Sequence, residues 1–276
     1  MTAERIPAMR IAAIQMNSGA DVGANLREAA DLVGEAAAAG AQLAVLPENF
    51  GLMGAHARDK LAVQEADGSG PQQAFLADAA RRHRMHVIGG SVPLASGTPG
   101  RVWQALLAYD PDGRRSARYD KIHLFRFSDG DEDYDEARTI LPGRSAVCLG
   151  TPGGRVGLSI CYDLRFPELY RSFGDVALIV VPAAFTFRTG EAHWETLIRA
   201  RAIENQCYVA AAAQAGLHPG GRRTFGHSMI VDPWGVVVAS RAEGPGVVIA
   251  DVDPMRIADV RRRLPALEHR SAADTH

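Results

Sequence analysis

Residues 157–171 read GLSICYDLRFPELYR and combine a strand pattern with the start of a helix. Apolar side chains alternate toward the cysteine, at Val156, Leu158 and Ile160. This period of two is typical of a strand with one buried face. Pro167 is tolerated only in the first turn of a helix, and Asp163 has the side chain of a helix N-cap. The stretch therefore predicts a strand-to-helix turn with Cys161 at the junction.

A cysteine at such a turn is a candidate nucleophile. The thiolate is the reactive form of cysteine, and a nearby helix N-terminus favours negative charge, so we expect the pKa of Cys161 to be lowered. The alternative is a buried cysteine that only packs, because cysteine is among the most buried residue types. Cys148 and Cys207 lie within apolar strand patterns and are predicted to be core residues.

The rest of the chain alternates strands with helices. Strands are predicted at 9–16, 41–47, 86–92, 102–109, 115–120, 145–149, 155–161, 176–182, 207–213, 227–232, 235–240 and 246–252. Helices are predicted at 22–39, 71–84, 165–173, 191–205 and the C-terminus, with a long acidic irregular loop at 122–144. Each half runs helix, strand, helix, strand and then a hairpin across a D-P-x-G turn. This echo predicts an α/β fold, a four-layer α-β-β-α sandwich with two packed sheets and helices outside. We expect one domain over residues 1–276, with its core at about 9–264.

Composition and charge restrict the class of protein. The 276 residues carry a formal net charge of −2, with 47% hydrophobic and 22% charged residues. No basic face stands out, so neither nucleic acid nor an anionic membrane surface is an expected partner, and residues 261–263 are interpreted as a solvated helix end. No apolar run approaches the roughly 18–20 residues of a membrane helix, and residues 1–10 lack a signal-peptide core. Three cysteines without a C-x-x-C pair predict neither disulfides nor zinc, so we expect a cytoplasmic protein.

Three polar residues stand where apolar strands end: Glu48, Lys121 and Cys161. Ligands of α/β sheets gather beyond the carboxyl ends of strands, so this shared placement indicates a site. A thiol acyl-transfer site needs these types, since a carboxylate moves the proton and a fixed cation holds the oxyanion. The backbone N–H of Tyr162 is a candidate second oxyanion donor. Taken singly, Glu48 and Lys121 are also compatible with solvent-exposed charges.

Three motifs carry a resemblance to a known family. LPEN (46–49), YDKIHLF (119–125) and SICYDLRFPELYR (159–171) resemble the catalytic motifs of the nitrilase-like carbon–nitrogen hydrolase superfamily, in its amidase (Nit) branch. The resemblance runs from about Arg10 to His269. It implies Glu48 as general base, Lys121 as oxyanion-stabilising lysine and Cys161 as nucleophile. It also implies the four-layer sandwich and a homodimer formed through helices.

The expected site has a fourth residue, which is acidic, and no metal. The resemblance implies that Glu136 orients the lysine and the substrate. Its neighbourhood, DGDEDYDE (129–136), superficially suggests a calcium loop, but the glycine is at the second position and Ile140 stands at the twelfth. We interpret the rest of the run as solvated charge. His83 and His86 have no third ligand nearby in sequence, so we expect no metal and no cofactor.

The substrate side is less defined by the sequence. Tyr162 and Asp163 follow the nucleophile where true nitrilases have Trp-Glu, which argues against nitriles as substrates. Arg165 stands one turn from the nucleophile and either binds a substrate carboxylate or pairs with Glu168. In the Nit branch this position is associated with small dicarboxylate-like amides. Candidate walls of the acyl pocket are Phe185, Thr186 and His193, with packing as the alternative for His193 and Trp194. Arg199 and Arg201 are expected to pair with Glu195 and Glu204.

Longer segments narrow the resemblance further. Residues 199–216, 222–235 and 240–246 look most like the deaminated glutathione amidase type, which releases 2-oxoglutarate and Cys-Gly. The sister ω-amidase type acts on 2-oxoglutaramate. An acyltransferase that uses the same three residues also remains open, whereas a catalytically silent binding protein is disfavoured because the triad is complete. The expected partner is thus a small-molecule amide.

Overall fold

The computed structural model describes residues 7–128 and 133–271. Its strands in these ranges are β1 (Met9–Gln15), β2 (Leu43–Val45), β3 (His86–Ala95), β4 (Val102–Tyr109), β5 (Arg115–Asp120), β6 (Arg126–Ser128), β7 (Asp133–Asp135), β8 (Ile140–Leu141), β9 (Val147–Thr151), β10 (Gly154–Leu158), β11 (Leu178–Ala183), β12 (Tyr208–Ala213), β13 (Ala215–Leu217), β14 (Arg223–Phe225), β15 (Ser228–Val231), β16 (Val237–Arg241) and β17 (Gly246–Val252). Its α-helices are α1 (Val22–Ala38), α2 (Pro71–His83), α3 (Pro167–Ser172), α4 (Phe187–Asn205) and α5 (Pro254–Arg263). Short 3-10 helices cover Asp59–Leu61, Glu136–Arg138, Cys161–Arg165 and Pro219–Gly221.

Two mixed sheets form the centre of the molecule. The first has the order β17-β1-β2-β3-β4-β5, and β8 pairs with β4. The second has the order β16-β15-β12-β11-β10-β9. The middle of each sheet is parallel, at β1-β2-β3 and at β10-β11-β12. Because parallel neighbours end at the same edge, the loops that follow them converge.

The alternation along β1 explains the layers. Ile11 and Ala13 point into the core between the sheets, whereas Ala12 and Ile14 point into a second core with α1 and α2. Helix α4 packs on β12 and brings Trp194 into the first core. Both sheets are therefore covered on their outer faces by helices. The predicted α-β-β-α arrangement is confirmed.

Most predicted elements are present, and the main differences are the unpredicted pair of β13 and β14 and three further segments. The hairpin strands β4 and β5 and the last strand β17 have the expected bounds. The segment 122–144 is not irregular throughout, because β6 pairs with β7 and β8 joins the first sheet through Val102↔Ile140. Helix α4 begins at Phe187 and not at 191, and α3 is shorter than expected. The acidic residues 129–132 lie outside the described ranges, and the single-domain bounds stay a prediction.

The described helices contain no segment that is both long enough and apolar enough to span a membrane.

Candidate active site

The ends of β2, β5 and β10 bring Glu48, Lys121 and Cys161 together. Glu48 and Lys121 follow strands of the first sheet, and Cys161 follows a strand of the second. Lys121 Nζ lies 2.8 Å from Glu48 Oε1 and 2.7 Å from Glu136 Oε2. Lys121 is completely buried and Glu48 is 2% exposed. The site is thus a closed cluster of charges in the seam between the sheets.

Backbone groups fix the two carboxylates. Glu48 Oε2 accepts a hydrogen bond from Ala184 N at 2.9 Å, immediately after β11. Glu136 Oε2 accepts one from Phe125 N at 2.7 Å. Glu48 Oε1 and both oxygens of Glu136 therefore contact the Lys121 ammonium.

The charge states of the pair follow from this geometry. Burial by itself would raise the pKa of Glu48, but the Lys121 ammonium outweighs it and holds the pKa of Glu48 below its usual range. Burial also opposes the charge on Lys121, and Glu136 and Glu48 overcome that effect, so the pKa of Lys121 is raised. The carboxylate and the ammonium are consequently both ionised at neutral pH.

Cys161 occupies a strained turn. Its φ is +49°, a left-handed conformation that is uncommon for a residue with a side chain and is found at functional sites. The residue begins the 3-10 helix Cys161–Arg165, as the strand-to-helix turn predicted. The first N–H groups of a helix lack partners within it, which leaves the Tyr162 N–H in a position to serve an oxyanion. The turn projects the thiol into the pocket that Glu48 also lines.

The expected lowering of the Cys161 pKa is wrong. Burial raises the pKa of the thiol well above its usual value, and the negative charge of Glu48 raises it further, with Lys121 acting against both. One turn of 3-10 helix is too short to outweigh a buried carboxylate next to the sulfur. The resting thiol is therefore neutral, and it needs a base to become a nucleophile. Glu48, ionised and adjacent, fits that requirement.

The N-cap of the following helix, α3, is Phe166 and not Asp163. Its buried carboxylate accepts hydrogen bonds from Ile160 N at 2.8 Å and from Tyr119 Oη at 2.7 Å. It also accepts one from His123 N at 3.0 Å. These bonds join the turn at Cys161 to the segment that carries Lys121. Asp163 thereby sets the position of the nucleophile relative to the cation.

Arg201 supports the same turn from α4. Its guanidinium donates to Leu164 O from both Nε (3.0 Å) and Nη2 (2.8 Å) and pairs with Glu204 at 2.7 Å. Arg199 pairs with Glu195 at 3.4 Å. Trp194 is buried and donates to His227 O at 2.8 Å. These residues are structural, as the sequence predicted.

A narrow pocket opens above the thiol. The lining residues are Glu48, Phe125, Glu136, Cys161, Tyr162, Ala184, Phe185, Thr186, Thr189 and Arg222. Phe185 and Thr186 were expected there from sequence, whereas Phe125, Thr189 and Arg222 were not. Thr189 lies in the first turn of α4, three residues after Thr186, and Phe125 and Arg222 come from other parts of the chain.

Arg165 stands at the rim of this pocket. Its guanidinium lies over the rings of Tyr162 (5.9 Å) and Phe185 (5.3 Å). Both terminal nitrogens lie 3.3 Å from His193 Nδ1, and no ion pair joins Arg165 to Glu168 in the described part of the chain. His193 is exposed and outside the narrow pocket, so it contacts the pocket only through Arg165. The guanidinium remains available to an anionic substrate group.

The described residues include no group of three or more His, Cys, Asp or Glu side chains arranged to hold a metal ion.

Comparison with known proteins identifies the family. A model of the carbon–nitrogen hydrolase family matches residues 10–262. The chain belongs to this family. It is 42% identical over 265 residues to the deaminated glutathione amidase of Synechocystis sp. (strain PCC 6803 / GT-S), which covers 94% of this chain and 97% of that protein. It is 36% identical over 264 residues to the omega-amidase NIT2 of Danio rerio, which covers 95% and 94%.

A solved carbon–nitrogen hydrolase relative has the same fold. The crystal structure of the Caenorhabditis elegans NitFhit protein superposes with a TM-score of 0.89 at 36% identity, over 99% of this chain and 67% of that chain. As a member of the family the chain is a hydrolase of carbon–nitrogen bonds in amides. The family and the enzyme class predicted from the three motifs are confirmed.

Proposed function

We propose that this hydrolase cleaves a small carboxylate-bearing amide through a thioester on Cys161, and that deaminated glutathione is its substrate. The observation that carries the proposal is the cluster of Glu48, Lys121 and Glu136 around a neutral, buried thiol. Arg165 at the rim supports the carboxylate on the substrate, and the deaminated glutathione amidase of Synechocystis supports its identity.

The first half of the reaction forms the thioester. Glu48 takes the proton from the Cys161 thiol as the sulfur attacks the amide carbonyl carbon. The carbonyl oxygen becomes an oxyanion held by the Lys121 ammonium and the Tyr162 N–H. When the tetrahedral intermediate collapses, the carbon–nitrogen bond breaks and Glu48 returns its proton to the departing amine.

The second half hydrolyses the thioester. Glu48, again a carboxylate, removes a proton from a water molecule that attacks the same carbonyl carbon. The same donors hold the second oxyanion. The carbon–sulfur bond then breaks, the carboxylic acid leaves, and the proton on Glu48 restores the thiol. Glu136 keeps the Lys121 ammonium in place throughout, because both of its oxygens contact Nζ and its Oε2 is also anchored on Phe125 N.

A test of this proposal measures release of 2-oxoglutarate from deaminated glutathione and from 2-oxoglutaramate. We expect deaminated glutathione to be preferred and Cys161→Ala to abolish release, with Cys148→Ala, a half-buried cysteine on β9, as the matched control. Turnover that survives in Cys161→Ala would contradict the mechanism. Preference for 2-oxoglutaramate would favour the ω-amidase alternative, for which the Danio rerio relative speaks. Acyl transfer to hydroxylamine in place of hydrolysis would favour the acyltransferase alternative.

We further propose that the chain acts in the cytoplasm as a homodimer. The resemblance of its sequence to the Nit branch supports the dimer, and three cysteines without a disulfide framework support a reducing compartment. Light scattering of the purified protein measures its oligomeric state, and a monomer at micromolar concentration would contradict the homodimer.

A further inference from the structure

Two more cations face the active site from loops that touch each other. Lys60 belongs to the 3-10 helix Asp59–Leu61, and Arg222 directly follows the 3-10 helix Pro219–Gly221. Gly220 has a φ of +77°, and a Cβ placed on it would lie 2.6 Å from the backbone oxygen of Ala55. The two loops are therefore packed backbone against backbone. Of the two cations, Arg222 lines the pocket, and Lys60 lies close enough for the charges of Glu136, Glu48 and Arg222 to act on its ammonium.

The Arg222 guanidinium is only partly used by the protein. It lines the pocket with Cys161, donates to Ala184 O at 2.7 Å and lies over the ring of Tyr134 at 5.2 Å. Its Nε is buried, yet within the described residues it has no hydrogen-bond partner. A buried donor without a partner is costly, and it is satisfied when a ligand acceptor arrives.

Lys60 has no hydrogen bond or ion pair within the described ranges, although charged groups surround it. Burial lowers the pKa of its ammonium, and the charges of Glu136, Lys121, Glu48 and Arg222 act on it as well. The sequence contains 30 Lys and Arg residues, and only Lys60 and Lys121 are lysines. Both lysines thus belong to the surroundings of the nucleophile, whereas arginine serves at every other cationic position.

The charge balance of the site shows what these cations add. Glu48 and Glu136 carry two negative charges and Lys121 carries one positive charge. That cluster alone is negative by one charge, and it would repel an anionic substrate from the thiol. Lys60 and Arg222 reverse the sign. With both of these cations charged, the pocket as a whole is positive by one charge and attracts anions.

We propose that Lys60 and Arg222 bind a carboxylate on the leaving-amine side of the scissile amide. Arg222 holds Ala184, whose N–H anchors Glu48, and Glu48 delivers the proton to the departing nitrogen. The amine part of the substrate consequently lies next to this pair. Arg165 lies apart from Lys60 and Arg222, over the rings of Tyr162 and Phe185, and faces the acyl part of the substrate. The inference rests on the proposed function and specifies a substrate with an anionic group on each side of the amide.

The first experiment compares deaminated glutathione with its C-terminal carboxamide, which lacks the carboxylate of the leaving group. The wild-type kcat/KM should favour the free acid about tenfold or more, as for a charge-assisted hydrogen bond in a pocket. Lys60→Gln and Arg222→Gln should each lower this ratio several-fold. Arg223→Gln is the matched control, because Arg223 is exposed and stacks on Phe187 outside the pocket. An acid-to-carboxamide ratio that stays the same in Lys60→Gln and Arg222→Gln overturns the proposal.

The second experiment does not depend on the substrate. The rates at which iodoacetate and iodoacetamide alkylate Cys161 compare an anion with a neutral reagent of similar size. Lys60→Gln and Arg222→Gln should lower the iodoacetate-to-iodoacetamide ratio several-fold. Lys60→Gln removes no hydrogen bond of the fold, so it remains informative if Arg222→Gln disturbs Ala184. A lowered alkylation ratio without turnover of either amide would refute the proposed substrate and support the anion subsite, and an unchanged ratio overturns the subsite.

Discussion

Replacing Lys121 with methionine removes a buried cation and keeps a chain of similar length. The ammonium is completely buried and lies 2.8 Å from Glu48 and 2.7 Å from Glu136. Without it, two carboxylates face each other in the seam between the sheets. Removal of one partner of a buried ion pair costs about 3–5 kcal/mol. We expect that loss in the free energy of unfolding at neutral pH, together with a fall in kcat of about 10²–10³ from the missing oxyanion donor.

The pH dependence distinguishes this cause from a simple packing defect. In the wild type Lys121 holds the pKa of Glu48 below its unfolded value, so the stability that Glu48 contributes is present above the unfolded pKa and is lost as the pH falls through the folded pKa. In Lys121→Met the burial remains and the cation is gone. The folded pKa of Glu48 then lies above its unfolded value, and protonation relieves the strain. The variant should regain about 1.4 kcal/mol per unit of pKa shift as the pH falls.

Urea unfolding at about pH 7.5 and about pH 5.5 measures the effect. The difference between wild type and Lys121→Met should be largest at the higher pH and smaller at the lower pH. Arg114→Met is the control, because the Arg114 side chain is 78% exposed and its surface pair with Asp112 contributes at most about 1 kcal/mol. An equal loss at both pH values would refute the argument from carboxylate repulsion.

Two further predictions concern the turn at the nucleophile and the other thiols. Arg201→Lys should lower the free energy of unfolding by about 2 kcal/mol, because lysine cannot make the double hydrogen bond to Leu164 O. The control Arg199→Lys, at an exposed site, should change the free energy of unfolding by less than about 0.5 kcal/mol. Equal effects of the two substitutions in thermal or urea unfolding would contradict the supporting role of Arg201. Limited alkylation of the native protein followed by mass spectrometry should modify Cys161 and leave Cys207 unmodified, since Cys161 lines the pocket beside the carboxylate of Glu48, whereas Cys207 is fully buried; early modification of Cys207 would contradict this.

The sequence predicts those parts of the fold that depend on neighbours in the chain. The period of two before Cys161 predicts β10, the apolar run at 9–16 predicts β1, and the D-P-x-G turns place the hairpins. Glu48, Lys121 and Cys161 were recognisable because each follows a predicted strand and lies in a motif that resembles those of the family. The sequence did not predict the pair of β6 and β7, because a charged segment has no apolar alternation that would indicate a strand.

The electrostatics of the site could not be read from local sequence. A cysteine at the start of a helix indicates a lowered pKa, but Glu48 lies beside it in space and reverses the direction. Lys60 and Arg222 were missed for a related reason. Their loops meet only because the backbone at Gly220 can approach Ala55, and neither loop carries a pattern that predicts the other.

The division of Glu48, Lys121 and Cys161 between the two sheets makes the proposed active site depend on the packing of one sheet on the other. Glu48 and Lys121 belong to the first half of the chain and to one sheet, and Cys161 belongs to the second half and to the other. Although the two halves repeat one topology, neither contains a complete set of reacting groups. The proposed reacting groups therefore come together only where the two sheets pack against each other. Asp163 accepts hydrogen bonds from Tyr119 Oη on the first sheet and from Ile160 N after β10 of the second sheet. It therefore joins the two sheets next to the proposed active site.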